Sequence, residues 1–259
     1  MRLAGRTALI TGASSGIGRA TALELARRGM QVRLTGRDRT ALADVAEATG
    51  GRWMVADLGR DDEVDRLAAW ARSVDLLVNN AGFGWVGPFA AADRATGEPG
   101  SSGGMEVLRA RELLAANLLA PIVLTRMLLP GMLQRGHGHV VMVSSIAGHV
   151  GVRGESVYAA SKAGLIGFAE SLRYELAGTG VGLSVVSPGV VDTPFFRRQG
   201  RQYDRAFPRL IGAERVARAI AEAVTVGRAQ VFVPRWMAVP AWLRGAWPGL
   251  YRALAGRYG

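Results

Sequence analysis

The sequence TALITGASSGIG at residues 7–18 is the clearest indication of the fold in this chain. Its first five residues form a short apolar run, which is typical of a buried β-strand, and glycines follow at positions 12, 16 and 18. Helix-forming residues then continue through Arg28. In such a unit, small residues let the backbone approach a pyrophosphate, and the first N–H groups of the helix point at it. The stretch therefore predicts a nucleotide-binding βα unit, although the glycine spacing differs from G-x-G-x-x-G.

The same alternation of strand and helix patterns continues along the chain. Further strands are predicted at residues 31–35, 52–56, 75–78, 139–143, 182–186 and 230–233, and further helices at 40–48, 61–71, 105–133, 157–177 and 213–226. Pro121 lies inside the long helix and should kink or divide it. Parallel strands joined by right-handed crossovers form a sheet that is covered on both faces. The sequence therefore predicts an α/β fold, a Rossmann-type doubly wound parallel sheet of about seven strands with helices on both faces, in a single domain over residues 1–233.

The totals limit the class of protein. The chain has 259 residues, of which 49% are hydrophobic, so it can bury a sizeable core. It has no cysteine, which excludes disulfides and thiolate metal sites, and its histidines show no metal-ligand spacing, so we expect no metal. The net charge of +11 comes from arginines spread along the sequence, so we expect no nucleic-acid partner. Residues 7–11 are too short for the apolar part of a signal peptide, which predicts a cytoplasmic location.

Two segments depart from the alternating pattern. Residues 97–104 read GEPGSSGG, which predicts an exposed Gly-rich insertion rather than a domain boundary. Residues 234–259 carry tryptophans and tyrosines interleaved with arginines and interrupted by two prolines. This tail is too short and too charged to span a bilayer. We expect it to pack on its own domain or on a partner subunit, and contact with a membrane surface is the alternative.

Residues 144–162 carry side chains that can handle a proton. Lys162 is the only lysine in the chain, and Tyr158 precedes it by about one helical turn, so both project from one helix face. An ammonium beside a phenol is expected to lower the pKa of the phenol. Ser145 follows the strand at 139–143 and can converge on the same spot. The stretch therefore predicts a site that manages one proton and one developing oxyanion.

The end of the second predicted strand bears on the choice of dinucleotide. There an acidic residue bonds the ribose 2′-hydroxyl of NAD, whereas an arginine accommodates the 2′-phosphate of NADP. This chain has Gly36 followed by Arg37, and Asp38 is better placed to begin the next helix. The sequence therefore favours NADP(H) over NAD(H).

With these residues in view, the chain resembles the classical short-chain dehydrogenase/reductase family. The resemblance covers nearly all of residues 7–233 and rests on T-G-x-x-x-G-x-G at 11–18, N-N-A-G at 79–82 and Y-x-x-x-K at 158–162. It implies that Tyr158 is the general acid or base and that Lys162 holds the nicotinamide ribose and lowers the pKa of Tyr158. It also implies that Ser145 donates a hydrogen bond to the reacting oxygen, with Ser144 as the alternative, and that Asn117 anchors a water.

The resemblance also implies where the cofactor and the substrate bind. Asp57 would contact the adenine ring, and Thr193 would hold the nicotinamide carboxamide. The full set of implied cofactor residues is Gly12, Ser14, Ser15, Gly16, Ile17, Gly18, Arg37, Asp57, Leu58, Asn80, Ala81, Gly82, Tyr158, Lys162, Pro188, Gly189 and Thr193. The substrate side would draw on Phe83, Trp85, Val150, Val152, Phe195 and Phe196. Such a lining suggests an apolar or bulky substrate.

These expectations define a function. We expect an NADP-dependent oxidoreductase that transfers a hydride between the nicotinamide and a carbonyl or secondary alcohol of an apolar small molecule. One alternative is a sensor that binds NADP without turnover, and another is a membrane-peripheral reductase of lipid-like substrates. The family further implies a homodimer or homotetramer, in which the long helix and the Tyr158 helix pair across a two-fold axis.

Overall fold

The structure, a computed structural model, describes residues 1–90, 104–199, 203 and 207–258. Of residues 256–258 it describes the backbone only. Its strands are β1 (Thr7–Thr11), β2 (Gln31–Gly36), β3 (Arg52–Val55), β4 (Leu76–Asn79), β5 (Gly138–Val143), β6 (Val181–Pro188), β7 (Val191–Asp192), β8 (Ile211–Gly212) and β9 (Gln230–Val233). Its helices are α1 (Gly16–Arg27), α2 (Arg39–Thr49), α3 (Asp61–Ala71), α4 (Val107–Leu114), α5 (Ala120–Arg135), α6 (Ser156–Glu175), α7 (Ala213–Val226), α8 (Ala238–Ala246) and α9 (Pro248–Tyr258).

Seven of the strands form one parallel sheet in the order β3-β2-β1-β4-β5-β6-β9. The chain first builds outward from β1 to β3 and then returns to place β4 on the other side of β1. The strand order therefore reverses between β1 and β4, and the crevice at the carboxyl ends of such strands is where doubly wound sheets bind ligands. The predicted parallel sheet is confirmed. The small parallel pair β7-β8 was not predicted from the sequence.

Successive strand residues face two separate cores. Ala8 and Ile10 of β1 pack with residues of α1, α2 and α7, whereas Leu9 packs with residues of α3, α5 and α6. This alternation follows from the period of two along a strand, and it explains why these strands are apolar on both faces. Helices therefore cover both faces of the sheet in one domain, as the sequence predicted.

The predicted long helix is divided into α4, a π-helical turn at Ala115–Leu119, and α5. Pro121 has no backbone N–H to donate to the carbonyl of Asn117, so the ordinary α-helical ladder is interrupted there. By length and composition, the run from Val107 to Arg135 could cross a membrane. Leu124 and Leu128 of this run are nevertheless buried in the core beneath the sheet, which makes it a packed helix of the domain.

Two segments outside the sheet complete the description. The predicted insertion at 97–104 lies outside the described residues, apart from Gly104. The tail forms a 3₁₀ turn at Arg235–Met237, followed by α8 and α9. Met237 is buried and lies against Gly189 of the domain, whereas α8 contributes no buried residue.

Candidate active site

A cleft of about 1070 Å³ runs along the carboxyl ends of the parallel strands. Gly12 after β1, Gly36 at the end of β2, Asp57 after β3, Asn80 after β4 and Ser145 after β5 all line it. Because every strand of the sheet points the same way, these positions meet at one edge. The cleft therefore lies at the point where the strand order reverses, between β1 and β4.

The glycine turn between β1 and α1 packs too closely for side chains. A Cβ atom on Gly12 would lie 2.9 Å from the Cα atom of Ala81, and one on Gly18 would collide with the carbonyl oxygen of Gly12. Ser15, the residue before α1, makes no side-chain capping hydrogen bond. The N–H groups of the first helical turn therefore have no hydrogen bond from a capping side chain. An uncapped helix start beside a side-chain-free turn is a donor set that fits the pyrophosphate of a dinucleotide.

The N-N-A-G segment is held beside the glycine turn by Thr11. The Oγ1 atom of Thr11 accepts hydrogen bonds from the backbone N–H groups of Asn80 and Ala81, each 2.9 Å long. The Nδ2 atom of Asn80 donates a 2.8 Å hydrogen bond to the carbonyl oxygen of Thr11. These bonds join the ends of β1 and β4 and place Asn80, Ala81 and Gly82 on the cleft wall.

The end of β2 brings the guanidinium of Arg37 to the cleft. Arg37 is exposed and lines the cleft. A Cβ atom on the preceding Gly36 would lie 3.2 Å from the Oγ atom of Ser14, so a carboxylate side chain would be crowded there. Asp38 accepts a 3.0 Å hydrogen bond from the N–H of Ala41 and caps α2, as its sequence position predicted.

The end of β3 is fixed by its own local hydrogen bonds. The Oδ1 atom of Asp57 accepts a 3.0 Å hydrogen bond from the N–H of Gly59, and its N–H donates to Glu63 over 2.8 Å. Asp57 and the buried Leu58 both line the cleft. Of the implied cofactor residues, Gly18 alone is absent from the cleft lining, because it lies beneath Gly12.

Ser145, Tyr158 and Lys162 meet in the middle of the cleft. The hydroxyl groups of Ser145 and Tyr158 are hydrogen bonded to each other. The Nζ atom of Lys162 donates a 3.0 Å hydrogen bond to the carbonyl oxygen of Val143 and lies 5.8 Å from the ring centroid of Tyr158. Tyr158 and Lys162 are both buried. The end of β5 and the start of α6 thus bring the three predicted groups together.

The neighbouring Ser144 is engaged elsewhere. Its Oγ atom is buried and donates a 3.0 Å hydrogen bond to the backbone carbonyl oxygen of Lys162. Ser144 therefore ties β5 to α6, whereas Ser145 faces the phenol. Of the two serines that the sequence left open, Ser145 has the geometry to act on a bound molecule beside Tyr158.

Burial dominates the pKa values of this group. It raises the pKa of Tyr158, a shift that the hydrogen bond from Ser145 opposes and the nearby charge of Glu155 increases. Burial also lowers the pKa of Lys162 to about 8. The sequence led us to expect that Lys162 lowers the pKa of Tyr158, whereas in this structure burial is the largest influence on that pKa and raises it, and the Nζ atom of Lys162 donates to Val143.

Asn117 lies in the π-helical turn and clamps the chain after the N-N-A-G segment. Its Oδ1 atom accepts a 3.0 Å hydrogen bond from the N–H of Phe83, and its Nδ2 atom donates to the carbonyl oxygen of Phe83 over 2.8 Å. The same Nδ2 atom donates to Ser161 of α6 over 3.2 Å. Asn117 is fully buried and does not line the cleft, so its contacts connect three parts of the site from behind.

The apolar end of the cleft contains four of the six predicted substrate residues, Phe83, Val152, Phe195 and Phe196. The ring of Phe195 lies 5.6 Å from that of Tyr158, centroid to centroid. Trp85 and Val150 do not line the cleft. Trp85 turns its ring toward Gly87 and packs on a small core with Leu113, so its size serves packing at this site.

Several cleft residues were not predicted from the sequence. Arg198 follows Thr193 in the loop after β7, and its Nη2 atom donates a 2.9 Å hydrogen bond to Ser15 of the glycine turn. Arg109 of α4 lies over the ring of Phe83, 4.6 Å from its centroid. Gln199 and Tyr203 also line the cleft. Arg198 closely follows Thr193, which was expected to hold the nicotinamide carboxamide, and this closeness in sequence was a signal that could have identified it.

Comparisons with known proteins agree with this geometry. The family model described as short chain dehydrogenase matches residues 6–204. The ketoacyl reductase HetN of a Nostoc species is 35% identical over 245 residues, covering 89% of this chain and 79% of that protein.

The similar solved structures include complexes with NAD and with NADPH. A short-chain dehydrogenase/reductase from Burkholderia phymatum in complex with NAD has a TM-score of 0.80 at 26% identity, covering 95% of this chain and 94% of that one. A short-chain dehydrogenase from Sphingobium yanoikuyae in complex with NADPH has a TM-score of 0.77 at 25% identity, covering 94% and 95%. This chain therefore belongs to the short-chain dehydrogenase/reductase family of oxidoreductases.

Proposed function

We propose that this protein uses NADP(H) to reduce the carbonyl group of an apolar small molecule, or to oxidise the corresponding secondary alcohol. The observation that carries the proposal is one continuous cleft, which joins the glycine turn and Arg37 at one end to Ser145, Tyr158 and the phenylalanine rings at the other. A molecule reaching from the first end to the second would present its reactive part beside Tyr158.

The chain's own groups account for the movement of the proton. When bound, the nicotinamide supplies or accepts the hydride. Tyr158 donates its phenolic proton to the oxygen on which negative charge develops, and Ser145 donates a hydrogen bond to the same oxygen. The ordinary pKa of a phenol lies well above neutral pH, and burial raises that of Tyr158 further, so the side chain holds the proton that it donates in the reductive direction.

Lys162 and Asn117 hold this arrangement in place. Lys162 is anchored through its Nζ atom to Val143, at the end of the strand that presents Ser145. From there its ammonium can hold a ribose hydroxyl, since it has three donors and one is used by Val143. Asn117 fixes the backbone of Phe83 and the hydroxyl of Ser161, so it supports both sides of the reaction site.

The preference for NADP(H) rests on Arg37. Its exposed guanidinium can pair with a 2′-phosphate, whereas Gly36 offers no carboxylate and Asp38 is committed to capping α2. Arg198 adds a second cation, at the glycine turn, where it can face the pyrophosphate. Because the pyrophosphate is common to both dinucleotides and similar structures contain either NADPH or NAD, it is Arg37, and not Arg198, that supports the assignment of NADP(H) in this chain.

The substrate class follows from the apolar end of the cleft. Phe83, Val152, Phe195 and Phe196 favour a hydrophobic molecule, with Tyr158 and Ser145 as the polar groups that orient its oxygen. The relative named as a ketoacyl reductase supports a carbonyl carried on an apolar chain.

A homodimer is part of the proposal. The long helix leaves apolar side chains exposed on α4, the π turn and α5, namely Leu108, Leu114, Leu119, Met127 and Leu133. A second copy of the chain packed against these side chains would remove their apolar surface from water, which favours a dimer. Light scattering of the purified chain tests it, and a monomer at micromolar concentration would contradict it.

Turnover of a panel of ketones and aldehydes, measured separately with NADPH and NADH, tests the proposed reaction. We expect oxidation of NADPH with at least one apolar carbonyl compound and a lower kcat/KM with NADH. A clear preference for NADH would contradict the assignment of Arg37. Tight NADPH binding without turnover of any compound would instead support a sensor.

A further inference from the structure

The C-terminal helices expose a periodic set of apolar side chains. Val239 and Trp242 on α8, and Trp247, Leu250 and Leu254 at the start of and along α9, recur at helical spacing, and we name these five residues the tail face. Trp242 is 62% exposed and Trp247 is 57% exposed. Their rings contact each other edge to face, 5.5 Å apart, instead of packing into the domain. The described residues of the domain therefore do not cover this face.

The tail is nevertheless fixed to the domain. Met237 is buried against Gly189, and the guanidinium of Arg244 donates a hydrogen bond to the carbonyl oxygen of His149. Trp236 stacks on Phe207, 5.2 Å between ring centroids, next to the cleft residue Pro208. The tail face is thus held in a set orientation beside the apolar end of the cleft.

All the charged side chains of the C-terminal segment, residues 223–259, are positively charged arginines. Residues 223–259 contain no aspartate or glutamate, whereas they contain Arg228, Arg235, Arg244, Arg252 and Arg257. A second copy of this chain would bring the same arginines to a two-fold contact, because an isologous interface pairs a patch with itself. A surface that presents phosphate groups would be attracted instead.

We propose that the tail face docks the protein on the surface of an anionic lipid bilayer. Tryptophan rings favour the headgroup region, and arginines of the same segment attract anionic lipids at about 1 kcal/mol each where they lie near the surface. The helices lie in the interface and do not span it, since each is far too short to cross a bilayer. Docking places the apolar end of the cleft near the lipid.

Vesicle co-sedimentation of the full chain tests the proposal. Wild-type protein should pellet with vesicles that contain phosphatidylglycerol, and much less with pure phosphatidylcholine or at high salt. Trp242→Ala combined with Trp247→Ala should weaken binding by more than about tenfold. Arg252→Gln should weaken it by about fivefold. The matched control is Tyr174→Ala, which removes an 82% exposed aromatic ring on α6 and should bind like the wild type.

Two outcomes would overturn the proposal. One is equal pelleting of the wild type and the double tryptophan variant, with circular dichroism showing both folded. The other is no pelleting at all together with a lower molecular mass for the double variant by light scattering, which would mean that a second copy covers the tail face. Neither measurement depends on NADPH or on turnover, so the result is independent of the proposed reaction.

Discussion

The hydroxyl of Ser144 donates a hydrogen bond of 3.0 Å to the carbonyl oxygen of Lys162, whereas the next residue, Ser145, is hydrogen bonded to Tyr158. Adjacent serines therefore have separable tasks. Ser145→Ala should lower kcat by about 100-fold with little change in stability, because it removes a donor to the developing oxyanion. Ser144→Ala should lower the free energy of unfolding by about 1 kcal/mol and retain turnover. Steady-state kinetics and urea unfolding of both variants check this, and the reverse assignment would contradict it.

Arg37 and Arg39 provide a matched pair for cofactor choice. Arg37→Ala should weaken NADPH binding by about tenfold to 100-fold and leave NADH binding unchanged, because only NADPH carries the phosphate. Arg39→Ala is the control, since the Arg39 guanidinium lies over the ring of Trp53, 5.3 Å from its centroid. Fluorescence titration with each nucleotide measures both constants. Equal losses for NADPH and NADH would exclude the proposed role of Arg37.

Lys162 should make stability depend on pH. The unfolded chain holds this proton up to the ordinary pKa of 10.5, whereas the folded protein releases it near 8. Between these values the unfolded state binds more protons, so the wild-type free energy of unfolding rises with pH. Lys162→Met lacks this rise and should be more stable than the wild type by about 1–3 kcal/mol at about pH 7, with the gap closing toward about pH 10. Urea unfolding across this range is the measurement, and parallel pH curves would refute the buried-lysine account.

Arg198 and Arg197 are a matched pair of neighbouring arginines, of which only Arg198 lines the cleft. Arg198 reaches Ser15 and lines the cleft, whereas the adjacent Arg197 is exposed and does not line it. Arg198→Ala should weaken binding of both NADPH and NADH by about tenfold, because both carry the pyrophosphate. Arg197→Ala should bind both nucleotides like the wild type. Identical titrations for the two variants would remove Arg198 from the cofactor site.

The sequence predicted the sheet well because local patterns and chain connectivity point the same way. Apolar strands such as 7–11 and 139–143 are buried on both faces, and the helices between them force parallel pairing. Pro121 predicted the division of the long helix, because its missing N–H interrupts the α-helical hydrogen bonds there. The pair β7-β8 was missed because two-residue strands carry no periodic pattern.

The relative positions of site residues could be predicted from the sequence where their spacing along one helix sets the geometry. Properties that depend on the tertiary environment could be predicted less well. Tyr158 and Lys162 share a face of α6, as their spacing required. The direction in which the pKa of Tyr158 shifts depends on how deeply the phenol is buried and on where the Lys162 ammonium points. Neither of these can be read from the sequence. For the same reason Trp85 looked like a substrate residue, although its ring packs on Gly87.

The most direct test of the central claim compares Tyr158→Phe with the wild type, using the carbonyl compound that the panel identifies. The substitution removes the proton donor and keeps the ring beside Phe195. We expect kcat to fall by at least about 100-fold while the protein still binds NADPH. A Tyr158→Phe enzyme that reduces the compound at the wild-type rate would contradict the account.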